Sequence, residues 1–321
     1  MRNGCHLAEF GSIRKTNIPY AALAKSMIDY KLLEALAVVV EEGGFERAAR
    51  RLGLSQSAVS QRIKLLEARV GQAVLVRETP PQPTAPGLRL LRHIQQVRLL
   101  EADLGSEVPG LAEEAPQRLR IALNADSLAN WWPLAVGPWV RAQGVLLDLV
   151  VEDQDVVLRR MRAGEVAACL CASGQPLAGA RVSALGAMRY RALASPEFRA
   201  RQLAGLPDPR ALARAPAIVF GPDDRLQHRY LEQLGISDPF DYHLCPSAEG
   251  FLQMTLSGIG WGLLPDIQSA AARASGALVD LAPGLWVDVP LFWHHWRNGG
   301  ASLQALTRHL ERSAGDWLVR D

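Results

Sequence analysis

The stretch from Gly44 to Gly71, GFERAARRLGLSQSAVSQRIKLLEARVG, constrains this chain more than any other. Phe45, Ala48, Ala49 and Leu52 place apolar groups on one side of a short helix, which the Gly53-Leu54-Ser55 turn ends. A second helix begins at once, with Ser55 positioned to accept from its free backbone N–H groups. Val59, Ile63, Leu66 and Val70 recur at steps of four, three and four, the inward stripe of an amphipathic helix. The spacing predicts a helix-turn-helix.

The outer face of the second helix carries Gln56, Ser57, Ser60, Gln61, Arg62 and Lys64. Gln and Ser bond base edges, while Arg and Lys meet bases or phosphates, so such a face suits the major groove of double-stranded DNA. The alternative is a solvated helical hairpin. Tight two-helix units with a Ser-capped, Gln/Ser/Arg-faced second helix mostly serve DNA binding, which favours the first reading.

Charge agrees with it. The formal charge over 321 residues is only +2, but it is unevenly spread. Arg47 to Arg98 holds ten basic residues against Glu67 and Glu78, a surplus of eight, and the remainder holds 25 basic against 31 acidic. A basic nucleic-acid module joined to an acidic module is the implied organisation. Charge alone is also compatible with an RNA or membrane-surface contact.

The flanking segments extend the module. Ile28 to Glu42 reads as a first helix with Leu32, Leu33, Leu36, Val39 and Val40 inward. Ala73 to Arg77 and Gln82 to Thr84, around Pro80 and Pro81, read as two wing strands, with Arg77 a phosphate contact. From Pro86 to about Leu104 a long helix carries Leu90, Ile94, Val97 and Leu104 at coiled-coil spacing, interrupted by Glu101, and is expected to dimerise. EVPGLAEEAPQ, 107 to 117, reads as a linker. Residues 1–26 are irregular, interrupted by Pro19 and unlike the helical module after them, and Met27, just before a strong helix, is the expected native start.

Beyond residue 117 the pattern changes. Strand-like runs at Leu119 to Leu123, Val145 to Val151 and Val166 to Cys171 alternate with helical stretches at Leu128 to Gln143 and Gln154 to Arg162. A second set has strands near Arg189 to Ala194, Ala217 to Phe220, His243 to Cys245 and Trp261 to Leu264, and a helix near Ala248 to Ser257. This predicts two α/β lobes joined by strands crossing near Tyr190 and Leu291, with a ligand cleft between them. The expected fold class is α/β overall: an all-α winged helix-turn-helix over 27–85, a linker helix and hinge over 86–117, then a periplasmic-binding-protein-like effector domain. Lobe I takes about 118–190 and 291–321, and lobe II about 191–290.

Other chemistries lack their residues. Cys5, Cys169, Cys171 and Cys245 form no CxxC pair, and Cys169 and Cys171 read as core thiols of a buried strand. His294 and His295, between Trp293 and Trp296, alternate across a strand and make a poor metal pair. The GIGWG run at 258–262 comes after a helix and enters a strand, the wrong order for a dinucleotide loop, and reads as a close-packed turn. With no nucleophile beside a base and no zinc-type spacing, neither an enzyme nor a resident cofactor or metal is expected. No apolar run is long enough to span a bilayer and no signal h-region appears, so the expected location is the cytoplasm.

AARRLGLSQSAVSQRIKLLEARVG, VLVRE and TAPGLRLL resemble the LysR-type transcriptional regulators, and the resemblance extends over about 27–321. It implies a winged helix-turn-helix, a dimerising linker helix, an effector domain, dimers of dimers and contact with RNA polymerase. LNADSLANWW, LVVEDQD, PSAEGFLQM and LFWHHW further resemble the lysine- and arginine-responsive ArgP/LysG branch, whose members control basic amino-acid export, one of them described as an inhibitor of replication initiation. Pro86, where the family has a small residue, and the 26-residue extension depart from the pattern.

The effector implied is therefore L-lysine or L-arginine. Asn124, Asp126, Ser127 and Leu128 lie where the first lobe I strand ends and a helix begins, so N–H groups and the Ser127 hydroxyl can hold an α-carboxylate, unless they only cap the helix. The ligand's cations need carboxylates, for which Glu152 and Asp153 lead, with Asp126 and Glu249 as further candidates. Ser247, before the lobe II helix, and Ser173, after the third lobe I strand, complete the set. Three rival readings remain: a regulator sensing another metabolite such as an aromatic acid, an enzyme on the two-lobed domain, and a sequence-indifferent nucleoid protein.

Overall fold

A computed structural model describes residues 29–108, 117–152, 154–203 and 209–320. The expected extension over 1–26, the start at Met27, most of the linker and Asp153 lie outside the described residues. The chain divides into two compact units between Gln82 and Pro83.

The first unit is built from α1 (Tyr30–Glu41), α2 (Phe45–Leu52), α3 (Gln56–Val70) and a short ribbon of β1 (Leu75–Val76) and β2 (Gln82–Pro83). Asp29 caps α1, accepting from the Lys31 N–H at 3.1 Å. Leu32, Leu33, Leu36 and Val39 of α1 are buried together with Ala48 and Ala49 of α2 and Val59, Ile63 and Leu66 of α3. Each large aliphatic group so buried contributes about 1.5–3 kcal/mol. Gly53 ends α2 at φ 64°, a left-handed conformation that costs glycine nothing, and the Leu54 N–H returns to the Ala49 carbonyl at 2.9 Å. That turn sets α3 across α2.

The second unit begins with α4 (Ala85–Glu107), capped by Thr84, with Pro86 in its first turn. The coiled-coil spacing pointed to Leu90, Ile94, Val97 and Leu104 as a partner-facing seam. Instead, Leu91, Ile94 and Leu99 are buried, Leu90 and Val97 are half-buried, and Leu104 is exposed. The helix lays one stripe against the effector domain, where the Arg92 guanidinium lies 5.8 Å from the Trp296 ring centre.

The effector domain continues with β3 (Arg118–Leu123), α5 (Ala125–Ala129), α6 (Trp132–Gln143), β4 (Leu146–Val151), α7 (Gln154–Ala163), β5 (Ala168–Cys171) and β6 (Ala180–Ala194). Then come α8 (Pro196–Gln202), α9 (Pro209–Arg214), β7 (Ala217–Val219), α10 (Leu226–Gln233), β8 (Tyr242–Leu244), α11 (Ala248–Leu256), β9 (Gly262–Pro265), α12 (Asp266–Ala274), β10 (Val279–Asp280), β11 (Val287–Trp296) and α13 (Gly300–Ser313). One sheet runs β10-β6-β11-β5-β3-β4, with β9 also on β6; β7 and β8 pair separately. β3 is parallel to β4 and β5, whereas β6 and β11 form a long antiparallel pair from Tyr190↔Val287 to Ala180↔Trp296. That pair is the crossing expected near Tyr190 and Leu291.

Two elements differ from the expected pattern. The helix expected over Leu128 to Gln143 is two helices, because the Asn130 amide donates to the Asp126 carbonyl at 2.8 Å and turns the chain, and Pro133 starts the next helix. β6 begins at Ala180, not near Arg189, since pairing with β11 holds a segment whose Gly186 weakens any local strand signal. Trp131, Trp132 and Trp293 form the lobe I core, with ring centres 5.9 and 5.5 Å apart. The 258–262 run is the close-packed turn expected: a Cβ on Gly260 would meet the Pro216 carbonyl at 2.9 Å, and one on Gly262 would meet the Phe251 ring.

Candidate DNA interface and effector cleft

In the first unit, the Ser55 hydroxyl accepts from the Ala58 N–H at 3.2 Å and lies 2.9 Å from the Ser57 hydroxyl. Gln56, Ser57, Gln61 and Lys64 are exposed on α3, while Ser60 and Arg62 are half-buried beside them. Arg77 is exposed on the wing, its guanidinium 3.9 Å from Glu67. An open groove of about 540 Å³ runs between the starts of α2 and α3 and the wing, lined by Arg50, Gln56 and Arg77 among others. Arg50 makes no ion pair among the described residues, in contrast to Arg51, which pairs with Glu41 and Glu42 at 3.0 and 2.9 Å. Sequence reasoning counted Arg50 as general basic charge; its place in the groove comes only from the angle between α2 and α3.

In the second unit, β3 and β5 run parallel, so their carboxyl ends share one edge of the sheet, and α5, which follows β3, approaches α11. The Tyr190 hydroxyl donates to Asp126 Oδ2 at 2.7 Å, joining the start of α5 to the crossing strand β6. Burial pushes the Asp126 carboxyl above its ordinary pKa, the Tyr190 bond opposes this, and the nearby Asp224 pushes the same way as burial. None of these three influences is a cation. The Asn124 Oδ1 beside them is buried without a hydrogen-bond partner among the described residues.

The other expected effector contacts scatter. The Ser127 hydroxyl accepts from the Trp131 indole at 3.1 Å inside the lobe I core, and so does not face the cleft. The Leu128 N–H is spent on the Asn124 carbonyl at 3.2 Å. The Glu152 carboxylate is taken by Arg160, whose Nε lies 3.0 Å away and which also reaches Glu165 at 2.7 Å, so its charge is answered within lobe I. The Ser173 hydroxyl accepts from the Gln175 N–H at 3.3 Å. The Ser247 hydroxyl caps α11 through the Gly250 N–H at 3.1 Å, and Glu249, exposed, accepts from Gln253 at 2.9 Å. The structure therefore brings Asn124 and Asp126 to the start of α5, a helix that approaches α11, the helix whose start carries Ser247 and Glu249. It adds Tyr190 and Asp224, which no local motif marks.

Residues 30–88 match the family described as bacterial regulatory helix-turn-helix protein, lysR family, and residues 112–315 match the LysR substrate binding domain. The chain belongs to the LysR family. This LysR-family protein is 65% identical over 295 residues to the HTH-type transcriptional regulator ArgP of Pseudomonas aeruginosa strain UCBPP-PA14, covering 92% of this chain and 98% of that one. It resembles the crystal structure of ArgP from Mycobacterium tuberculosis, with 37% identity, a TM-score of 0.82, and 92% and 100% of the two chains covered. It also resembles full-length LysG from Corynebacterium glutamicum with bound effector Arg, with 34% identity, a TM-score of 0.74, and 91% and 100% covered. The LysR-family chain is thus a DNA-binding transcriptional regulator with a small-molecule effector domain, not an enzyme. No helix among its described residues is long and apolar enough to cross a membrane.

Proposed function

We propose that this regulator senses a basic amino acid, L-arginine or L-lysine, in the cleft between its lobes and so controls genes for basic amino-acid export. Asp126 carries the reading: a half-buried carboxyl, bonded to Tyr190 and near Asp224, whose pKa is raised by burial, with Arg229 acting on the Tyr190 hydroxyl and no cation among the influences on the carboxyl itself. An ammonium or guanidinium group supplies the missing charge. Asn124 offers a free acceptor to the same ligand, and Ser247 and Glu249 bring the α11 end to it when the lobes close. An anionic aromatic effector would meet carboxylates there instead of cations. Arginine bound to LysG supports the same assignment.

On DNA, Gln56, Ser57, Gln61 and Arg62 read base edges, with Ser60 beside them, while Lys64, Arg77 and the Ser55 end of α3 meet phosphates. The chain acts as a dimer through α4, and as a tetramer whose arrangement shifts with the effector, altering contact with RNA polymerase; its place of work is the cytoplasm, where the promoter is. Thermal unfolding of the full chain with L-arginine, L-lysine and a panel of neutral and acidic metabolites tests the effector. A ligand at 100 times its dissociation constant adds about 2.7 kcal/mol, a shift of several degrees. Stabilisation only by an acidic metabolite would overturn the basic amino-acid assignment.

A further inference from the structure

The ERAARR run of α2 places Arg47, Arg50 and Arg51 on one short helix, and the fold uses two of them. The Arg47 guanidinium turns back to donate to the Glu42 carbonyl and, at 3.0 Å, to the Gly43 carbonyl. Arg51 is spent on the acids of the α1 end, Glu41 and Glu42. Arg50 takes neither route. Ala48 and Ala49 are buried and fix the rotation of α2, which leaves the Arg50 side chain exposed on the open groove of about 540 Å³ between the starts of α2 and α3 and the wing. Gln56 and Arg77 also line this groove. The side chains of Arg50 and Gln56 make no hydrogen bond or ion pair among the described residues. Arg77 has an acid only at 3.9 Å, in Glu67, beyond hydrogen-bond reach.

The groove wall at the start of α2 is backbone. Gly44 stands at the helix N-cap with no side-chain capping bond, so the first N–H groups of the helix have no side-chain acceptor. A Cβ on Gly44 would meet nothing within 4 Å, so the wall is open there. Glu46 and Glu78 also border the groove, which therefore carries the guanidinium groups of Arg47, Arg50 and Arg77 against two carboxylates. That small positive surplus suits a singly charged phosphodiester better than a free polyanion. Gln56 is the first residue of α3, the helix that offers its outer face to bases, so a duplex within reach of Gln56 brings one backbone strand against the groove.

We propose that this groove seats the phosphate backbone of duplex DNA, with Arg50 as its contact from α2, opposite Arg77 of the wing. The phosphodiester supplies the acceptors that the Arg50 guanidinium, the Gln56 amide and the uncapped N–H groups of α2 lack within the protein. An arginine in this place neutralises one phosphate and releases its counterions, and it carries no sequence information. Its part is to set the height of the duplex over α3, so that the residues after Gln56 meet base edges. Arg51, the next residue, has the same charge but is held by Glu41 and Glu42 and takes no part.

The test is fluorescence anisotropy of the full chain with a labelled duplex of mixed sequence across a salt series, with thermal melting of each variant. Arg50→Ala is expected to bind more weakly at every salt concentration and to lower the log–log salt slope by about 0.9, the share of one phosphate, at an unchanged melting midpoint. Arg51→Ala removes the same charge one residue away and is expected to leave the slope as it is. Gly44→Asp sets a carboxylate on the open wall of the groove. Asp is also a favourable N-cap, so the melting midpoint is expected to hold or rise while affinity for the duplex falls several-fold. An unchanged slope in Arg50→Ala, an equal fall in Arg51→Ala, or wild-type affinity in Gly44→Asp overturns the proposal. The Gly44→Asp result decides it even if Arg50→Ala fails to fold.

Discussion

The Tyr190 hydroxyl lies 2.7 Å from Asp126 Oδ2, so the long crossing strand β6 holds the carboxyl at the start of α5. The bond spans 64 residues of sequence and links the crossing strand to the proposed effector site. Replacing Tyr190 with Phe removes one charged hydrogen bond, worth about 1.5–3 kcal/mol. L-arginine binding to Tyr190→Phe, measured by calorimetry on the full chain, is expected to weaken by roughly 10- to 100-fold. An unchanged dissociation constant in a folded variant would remove Tyr190 from the site.

Asp126 also sets a pH dependence with a definite sign. Its folded pKa is raised, first by burial, so the folded state holds the proton more tightly than the unfolded chain does. The associated stability is present below the unfolded value of about 4 and is lost as pH rises through the folded one. Asp126→Asn, which cannot ionise, is therefore expected to gain thermal stability relative to wild type as pH rises from 4 to 7. A cationic effector favours the ionised form, so wild-type affinity for L-arginine is expected to fall as the pH is lowered through that range. The opposite trend in the stability measurement would mean that a positive partner already holds Asp126 ionised, and the opposite trend in affinity would place no cationic group of the ligand at Asp126.

The recognition helix gives two separable expectations. Arg62→Ala should cost about 1–3 kcal/mol on the cognate operator and little on random duplex, if the side chain makes a bidentate base contact. Lys64, exposed on the same helix, is proposed to meet phosphate, so Lys64→Ala should weaken all duplexes alike and reduce the log–log salt slope by about 1. Fluorescence anisotropy across a salt series distinguishes them. Equal losses by Arg62→Ala on both duplexes would assign it to phosphate.

How much was legible in the sequence depended on the range of each interaction. The Ser55 cap, the Gly53 turn and the α3 stripe arise between residues a few positions apart, and they were legible. Most strands of the two lobes were legible too, because alternation and apolar runs are local. The Arg160 partner of the Glu152 carboxylate comes from the next helix, so the sequence carried no sign that this charge is already paired. Ser127 failed for a similar reason, since the break at Asn130 swings Trp131 onto its hydroxyl. Tyr190 was legible only as a crossing-strand residue, and Asp224 had no signal: their nearness to Asp126 arises only when the fold is complete.

Gly164 tests the seating of the long helix on the effector domain. It has φ 75°, and a Cβ there would lie 2.5 Å from the Arg92 Cα and 2.7 Å from its backbone N. Backbone atoms of a helix cannot step aside as a side-chain tip can. Gly164→Ala is expected to cost about 1–3 kcal/mol from overpacking and the left-handed conformation, lowering the melting midpoint by several degrees. Retained wild-type melting would mean that α4 is not held against α7 in solution.

The face of α4 turned away from that contact supplies the last prediction. With Leu91, Ile94 and Leu99 buried, Leu100 and Leu104 remain 50% and 47% exposed four residues apart, with the exposed Val108 beyond them. This stripe, not the one containing Ile94, is what α4 can offer to a second chain. In a two-fold dimer each leucine is counted twice, and with about half of its surface left to bury, two copies contribute about 1.5–3 kcal/mol. Leu104→Glu removes that contribution and adds facing charges, and the dimer dissociation constant is expected to rise by at least about 100-fold. Light scattering after gel filtration at micromolar concentration reads the change directly. Dimers that persist in Leu104→Glu and dissociate in a variant of Leu90 would return the seam to the stripe that the coiled-coil spacing first suggested.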